Sequence, residues 1–526
     1  MKAELTTNQK IAQASAVLII ASVLGHVLSL GKEILVANYF GITKAMDAFY
    51  AAVTIPNMIN SMLITVFAAV FIPVFIEHRV KNINEANDLA SITVTYLMLI
   101  FTVFALIIFA SSPLIIKYGF HGLSSDVAGL AVKLLKILSF SLILSGLVGI
   151  ITGLMNSFER FFLPSFSQMF VTIATILFIL VFAKTHGVFV LAYGLLAGLL
   201  LQIVVLIPAV RKQGFLFRVN FNARHPAIKG ILLSSGLFFA AAAINQLNIA
   251  VDRIMASYLD SGSIAALSYA LKLGQVPLIM FSSSIAIAVF PFFARQAAEN
   301  KIEELRDALS KSVRMAGFIF IPLTVISVIL AKPLIRLLFQ RGAFTSEDTE
   351  LTAVIFICYS FQFFFYTVSN IFGKVILSFK NFAILFKITL FAVLANILLN
   401  FVFIKIVRPP VAGIALSTSF VYFIVMLMIG WFLKKKMLYL KSLYVVKGLI
   451  SISIAVGFAA IASMRMFKFF DNVVFATAVF GNIFYIVSVS AIYMLVFLFI
   501  CRLLKLEEPE KIMDVIKVKL GKEKYA

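Results

Sequence analysis

Long apolar runs alternate with short polar interruptions along the whole chain. A helix that crosses hydrocarbon needs about 20 apolar residues. Fourteen runs meet that length, at 10–38, 47–76, 88–115, 128–155, 162–184, 187–210, 228–257, 263–293, 312–339, 349–378, 382–406, 411–433, 444–464 and 474–501. Several exceed 25 residues, which predicts tilt or extension past the bilayer. The longest polar linker between similar halves follows the sixth run.

Composition raises this pattern to a class. Hydrophobic residues make up 62% of the 526 and charged residues 13%, against about 25% charged in soluble domains. Mean hydropathy is +1.06. A soluble fold cannot hide that much apolar surface. The expected class is an all-α polytopic membrane protein with 14 transmembrane helices. Disorder, a collagen, a disulfide scaffold and a secreted enzyme are excluded. The expected divisions are an N-lobe at 1–210, a cytoplasmic interlobe linker at 211–227, a C-lobe at 228–436, two further spans at 437–505 and a cytoplasmic tail at 506–526.

Net charge is +22. On a soluble protein that points to nucleic acid; here no basic patch is interleaved with aromatics, and the expected partner is the anionic inner leaflet. Lys and Arg concentrate at alternate span ends, from Lys2 and Lys10 through Arg79, Arg211, Arg295 and Lys434 to the tail. By the positive-inside rule both termini are cytoplasmic, and an even span count agrees. The first span lacks a cleavage signal and is expected to be retained. Cys358 and Cys501 each stand alone, which supports neither a disulfide framework nor a zinc cluster. In the linker, Phe215, Phe217 and Phe221 alternate with basic residues, either as a strap on the membrane surface or as a solvated hinge. Glu507 to Ala526 reads as a short surface helix.

The second and eighth runs resemble each other. Gly41 precedes Pro56 by 15 residues and Gly262 precedes Pro277 by 15. Each run ends in an aromatic-proline cluster, at Phe71–Phe75 and Phe290–Phe293. Six-span units that both start in the cytoplasm form a parallel repeat, as in transporters with two lobes.

Ionisable groups deep in a bilayer are costly and normally face an interior cavity. Lys32 with Glu33, and Asp252 with Arg253, read either as ion pairs or as cavity groups. Lys133, Lys136, Lys374 and Lys387 read as snorkelling cations. Lys272 has no acidic neighbour in its own span and precedes Pro277 by about one turn, so it reads as a cavity cation. His26 lies mid-span, six residues before Lys32. Asn245, Gln246 and Asn248 cluster in the seventh span; Asn396 and Asn400 lie one turn apart in the eleventh, either bonding neighbouring helices or offering oxygens to a small cation. A phosphate-binding lysine loop, a metal-binding HExxH and a nucleophile elbow are absent. An enzyme is not expected.

The residues that specify a family are Ala37-Asn38-Tyr39-Phe40-Gly41, Asp47-Ala48-Phe49, Pro56-Asn57, Val251-Asp252-Arg253, Ser261-Gly262-Ser263 and, above all, Leu338-Phe339-Gln340-Arg341-Gly342-Ala343-Phe344-Thr345. The chain resembles the MurJ/MviN lipid II flippases of the multidrug/oligosaccharidyl-lipid/polysaccharide exporter superfamily. The resemblance implies two six-helix lobes around a cationic cavity, plus two C-terminal helices. It implies an inner-membrane flippase in peptidoglycan biosynthesis that moves an undecaprenyl-diphosphate glycolipid outward by alternating access, with cell-wall synthesis proteins as partners. Four positions where the family has cavity arginines fall on His26, Lys32, Asn60 and Lys272, and Leu271 stands where an acidic residue is usual. Lys does not reproduce the bidentate Arg fork. Asp47 would position a gate, with Glu33 and Arg253 as structural neighbours. Some relatives imply a sodium site, matched loosely by Asp252, Asn396, Asn400 and Thr418; no other cofactor is expected. The less cationic cavity keeps an exopolysaccharide or O-antigen precursor open as substrate, and the fold keeps open a cation-coupled drug antiporter.

Overall fold

The computed structural model describes residues 7–222, 226–435, 440–471 and 479–510; side chains of 7–23, of several positions in 226–245 and of 467–471 and 479 lie outside that description. Regular structure among the described residues is helical, without strands. Hydrocarbon offers the backbone no hydrogen-bond partner, so a spanning segment must satisfy its own N–H and C=O groups as a helix. Twelve helices among the described residues are long and apolar enough to cross a membrane. Two expected spans, the first and the seventh, fall on the helices Thr7–Phe40 and Pro226–Ala256. The helix Lys44–Lys81 has 38 residues. That is about 57 Å of axis against a core of about 30 Å, so its ends pass beyond the hydrocarbon or it tilts.

The repeated glycines have a backbone reason. Gly41 has φ +54° and Gly262 has φ +92°, the left-handed region that favours glycine. Each ends a connection just before a long helix, Lys44–Lys81 and Ser263–Ala298. Both helices contain a proline, Pro56 and Pro277, and both contain a π-helical turn, at Phe67–Phe71 and Leu278–Ser282. Proline removes one ladder N–H and crowds the preceding turn. In the second copy the π turn follows Pro277 directly; in the first it lies further along and leads into Pro73.

Packing and chain order divide the molecule differently. By contacts, one unit comprises residues 1–265 with 341–345, and the other 266–340 with 346–526. The helix Pro226–Ala256 packs on Lys44–Lys81 and so belongs to the first unit, although the sequence places it at the start of an expected second lobe. In the first unit the linker lies along the helix Ile83–Gly119. The Arg218 N–H donates to Ser91 Oγ at 3.4 Å, the Asn220 N–H to Thr95 Oγ1 at 3.2 Å, and the Tyr96 hydroxyl to the Phe221 carbonyl at 3.0 Å. Phe215 is buried while Phe217 and Phe221 are exposed, so two of the three rings face outward.

In the second unit the last two helices, Ser442–Asp471 and Val479–Leu503, pack on Ile302–Phe339. Tyr493 donates to the Pro322 carbonyl at 2.9 Å, and Phe318 meets Phe497 with ring centres 5.2 Å apart. The chain after Leu503 then turns inward. Glu508 is 3% exposed and accepts from Arg314 Nε at 2.7 Å and Nη2 at 3.0 Å, while the guanidinium lies 4.0 Å from the Tyr444 ring centre. This corrects the surface-helix expectation for the start of the tail; residues 511–526 of that expectation lie outside the described residues. A planar fork on a carboxylate, stacked on an aromatic face, is the geometry only Arg supplies. Removing one partner of a buried pair leaves an uncompensated charge and costs about 3–5 kcal/mol. Glu508→Ala should therefore lower stability in detergent by about that amount, and Glu508→Gln by less. Equal denaturation midpoints for wild type and Glu508→Ala would show that the pair holds nothing.

Candidate functional site

Four connections of the first unit converge around one buried carboxylate. The helix Ser263–Ala298 opens with N–H groups that have no intrahelical partner and with the positive end of its dipole. Asp47 supplies the acceptor. Its Oδ1 accepts from the Ala265 N–H at 2.8 Å, and its Oδ2 accepts from the Gly262 N–H. The carboxylate is 4% exposed. Burying a charge without partners is prohibitive, and these charge-assisted bonds are what allow it. Asp47 sits in the first turn of its own helix yet serves the start of another.

Glycine lets the backbones approach. A Cβ on Gly262 would lie 2.5 Å from Ile42 Cγ2, and one on Gly41 would lie 2.2 Å from the Ala343 carbonyl oxygen. Gly342 has φ +57°, and a Cβ there would meet the Asn38 carbonyl at 2.3 Å. The Ala343 N–H donates to that same Asn38 carbonyl at 2.8 Å. Gly122 approaches the Ser257 carbonyl equally closely. The motifs at 37–41, 47–49, 261–263 and 341–345, scattered in sequence, thus converge in one unit.

The expected substrate residues are placed as follows. His26 and Lys32 share the helix Thr7–Phe40, and both are partly buried. Lys32 Nζ lies 2.9 Å from Glu33 Oε1, with side-chain exposures of 26% and 7%. The ion-pair reading therefore holds for Lys32 and Glu33, and this cation is not bare. Asn60 lies one turn past Pro56, and its Oδ1 is buried without a partner among the described residues. Arg253 reaches Thr54 Oγ1 at 2.9 Å and lies 5.7 Å from the Tyr50 ring centre. Sequence reasoning missed Tyr50 and Thr54, which lie two hundred positions from Arg253 and bear no charge to signal a pairing. Lys272 belongs to the second unit and precedes the Pro277 kink by five residues. Asn248 Oδ1 is buried without a partner among the described residues; the Asn245 side chain lies outside them.

Two of the candidate sodium ligands, Asn396 and Asn400, bond to each other. Asn400 Nδ2 donates to Asn396 Oδ1 at 3.2 Å, and Ser417 donates to Asn400 Oδ1. Both amide oxygens are thus already acceptors. Thr418 donates to its own helix at the Ile414 carbonyl, 3.2 Å away. Ser417, which the sequence did not single out, joins Asn396 and Asn400. Asp252 belongs to the other unit. Groups of three or more His, Cys, Asp or Glu able to hold a metal are absent among the described residues.

A family profile described as lipid II flippase MurJ matches residues 36–498. The chain belongs to the MurJ family. It is 29% identical over 407 residues to a probable lipid II flippase MurJ of Buchnera aphidicola subsp. Acyrthosiphon pisum, covering 76% of this chain and 79% of that one. A solved lipid II flippase MurJ in an inward closed conformation shares the fold at TM-score 0.78 and 24% identity, covering 93% of this chain and 99% of that one. An inward-facing multidrug resistance MATE transporter has TM-score 0.62 at 12% identity, covering 78% and 94%. Fold alone therefore does not separate a MurJ from a drug exporter. The profile match does, and the motifs it spans are the ones that converge around Asp47.

Replacing Asp47 tests whether this cluster closes the chain's path at that end. Asp47→Ala should expose a cysteine placed at Ser263, which is 4% exposed, to a membrane-impermeant maleimide, and Asp47→Asn, which keeps one acceptor, should expose it less. Cys358 and Cys501 are buried and should contribute little background. Unchanged labelling in Asp47→Ala would remove Asp47 from that closure.

Proposed function

We infer that this multi-pass membrane protein is a lipid II flippase. It carries the undecaprenyl-diphosphate-linked peptidoglycan precursor from the cytoplasmic to the outer face of the inner membrane by alternating access. The observation that carries this reading is the family match across residues 36–498. Fourteen crossings, two six-helix lobes with two added C-terminal helices, and cytoplasmic termini complete the proposed topology. In that orientation the Asp47 seal lies at the outer end and closes the path to the outside.

A diphosphate headgroup cannot cross hydrocarbon unaided, because its hydration must be replaced. Lys32 and Lys272 are the proposed cations, and His26 and the unpartnered Asn60 oxygen supply hydrogen bonds. Lys32 must turn from Glu33 to substrate, so the grip on phosphate is weaker and more exchangeable than an Arg fork would give. With the cell interior negative, outward movement of negative charge is downhill by about 2.3 kcal/mol per charge per 100 mV. No step is assigned to sodium.

The test is rescue of cells depleted of their own lipid II flippase, with surface lipid II measured directly. Rescue is expected. Failure by a chain shown to be inserted would overturn the lipid II assignment and turn attention to an exopolysaccharide or O-antigen precursor. A charge-assisted hydrogen bond contributes about 1.5–3 kcal/mol, so each lost lysine contact should weaken headgroup binding about ten- to a hundredfold. Lys32→Ala with Lys272→Ala should abolish rescue, and the paired Arg variants should retain it; full activity of the double Ala variant would refute the site.

A further inference from the structure

The antiparallel helices Phe382–Ile406 and Pro410–Lys435 enclose a groove of about 400 Å³. Its walls include Ile384, Ile388, Leu427, Met428, Trp431 and Lys387. Lys387 is the one charged group among the lining residues, and no carboxylate lines the groove. It sits five residues into its helix, about 8 Å of axis from Phe382. Its ammonium has no partner among the described residues. Other lysines within spans have found aromatic faces, Lys136 over Phe109 and Lys374 over Phe290. On the opposite wall Trp431 is 61% exposed, with Lys435 Nζ 3.7 Å from its ring centre. Lys380 and Lys434 are exposed at the same end of the helix pair.

These features have one chemistry. Trp and Lys at a helix end mark the level of the headgroups. An apolar groove below a cation at that level suits an acyl chain below a phosphate. A packed protein helix would have to bury the Lys387 charge; a phospholipid neutralises it. We propose that this groove binds one anionic phospholipid of the cytoplasmic leaflet, with its phosphate on Lys387 and an acyl chain along Ile384, Ile388 and Leu427. A lone snorkelling lysine would need only water, and the groove beneath it would then hold any lipid alike. The selectivity for an anionic headgroup is therefore the distinguishing property. It is independent of translocation, because the groove is occupied whether or not substrate moves.

Trp431 is the chain's one tryptophan, which makes it a built-in reporter. The purified full chain is reconstituted in phosphatidylcholine bilayers and its fluorescence followed as brominated-chain phosphatidylglycerol or brominated-chain phosphatidylcholine is added. Phosphatidylglycerol should quench with about fivefold higher apparent affinity, the scale expected for one lysine acting on an anionic lipid. Lys387→Gln should bring the ratio to about one while phosphatidylcholine quenching stays as it was, and Lys387→Arg should keep the preference. Equal quenching by both lipids in the wild type overturns the proposal. So does a preference that survives Lys387→Gln, which would trace it to general surface charge, and so does a Trp431 that neither lipid quenches, which would mean the groove is covered by protein.

Discussion

A backbone in hydrocarbon must bond to itself, and everything distinctive in this molecule lies where it cannot. Helices satisfy the rule through their interiors but not at their ends or at prolines. The ends are where Gly41, Gly262 and Gly342 sit in left-handed conformations and where chains come within carbonyl contact of one another. There the N–H groups opening the Ser263–Ala298 helix need an acceptor, and a buried carboxylate from another helix provides it. The prolines and π turns in Lys44–Lys81 and Ser263–Ala298 interrupt the ladder a second way, close to Asn60 and Lys272. Proposed substrate contacts and proposed gate thus share one origin, in backbone that departs from a continuous helix.

The charges follow a similar economy. Arg253 is spent on Tyr50 and Thr54, and Arg314 on Glu508 and Tyr444. Both arginines hold structure, where a rigid fork and a stackable plane are useful. Lys32, proposed to meet substrate, is a lysine paired with an adjacent carboxylate. A compact cation on a flexible stem exchanges partners more readily than a bidentate fork. A transporter that must also release its headgroup benefits from that weakness, which gives the Arg-to-Lys departure a physical rationale without changing the reaction class.

Run length and polar punctuation made the spans legible, because twenty apolar residues have few other uses in a chain this poor in charge. The glycine-proline spacing exposed the repeat, and positive φ at both Gly41 and Gly262 supplies its cause. The motifs at 37–41 and 341–345 were legible as signatures but not as neighbours. Three hundred residues separate them, and a spanning helix apolar all round does not announce which face it buries. The same blindness hid Phe215, which is buried although its linker reads as surface, and Glu508, which reads as one more tail carboxylate until Arg314 is seen beside it. Substrate identity came from none of this patterning. It came from family membership, since the fold is shared with multidrug transporters.

The strength of the Asp47 contacts can be weighed against the force proposed to act on them. Two charge-assisted hydrogen bonds on Asp47 contribute about 3–6 kcal/mol together. Two negative charges on a diphosphate moving through 100 mV release about 5 kcal/mol. The two magnitudes are comparable, as a gate proposed at Asp47 requires if it is to stay shut at rest and yield as the charged headgroup moves. A side-chain-to-side-chain pair of similar strength would need both partners to keep their rotamers and protonation. The Asp47 clamp needs only one carboxylate, because its donors are backbone N–H groups fixed by Gly262 and the first turn of the helix. Such a latch closes in one geometry and re-forms without searching. On this reading Gly262 is the counterpart of Asp47: the glycine brings the N–H to a place where any side chain would strike Ile42, and the carboxylate gives that approach its energy.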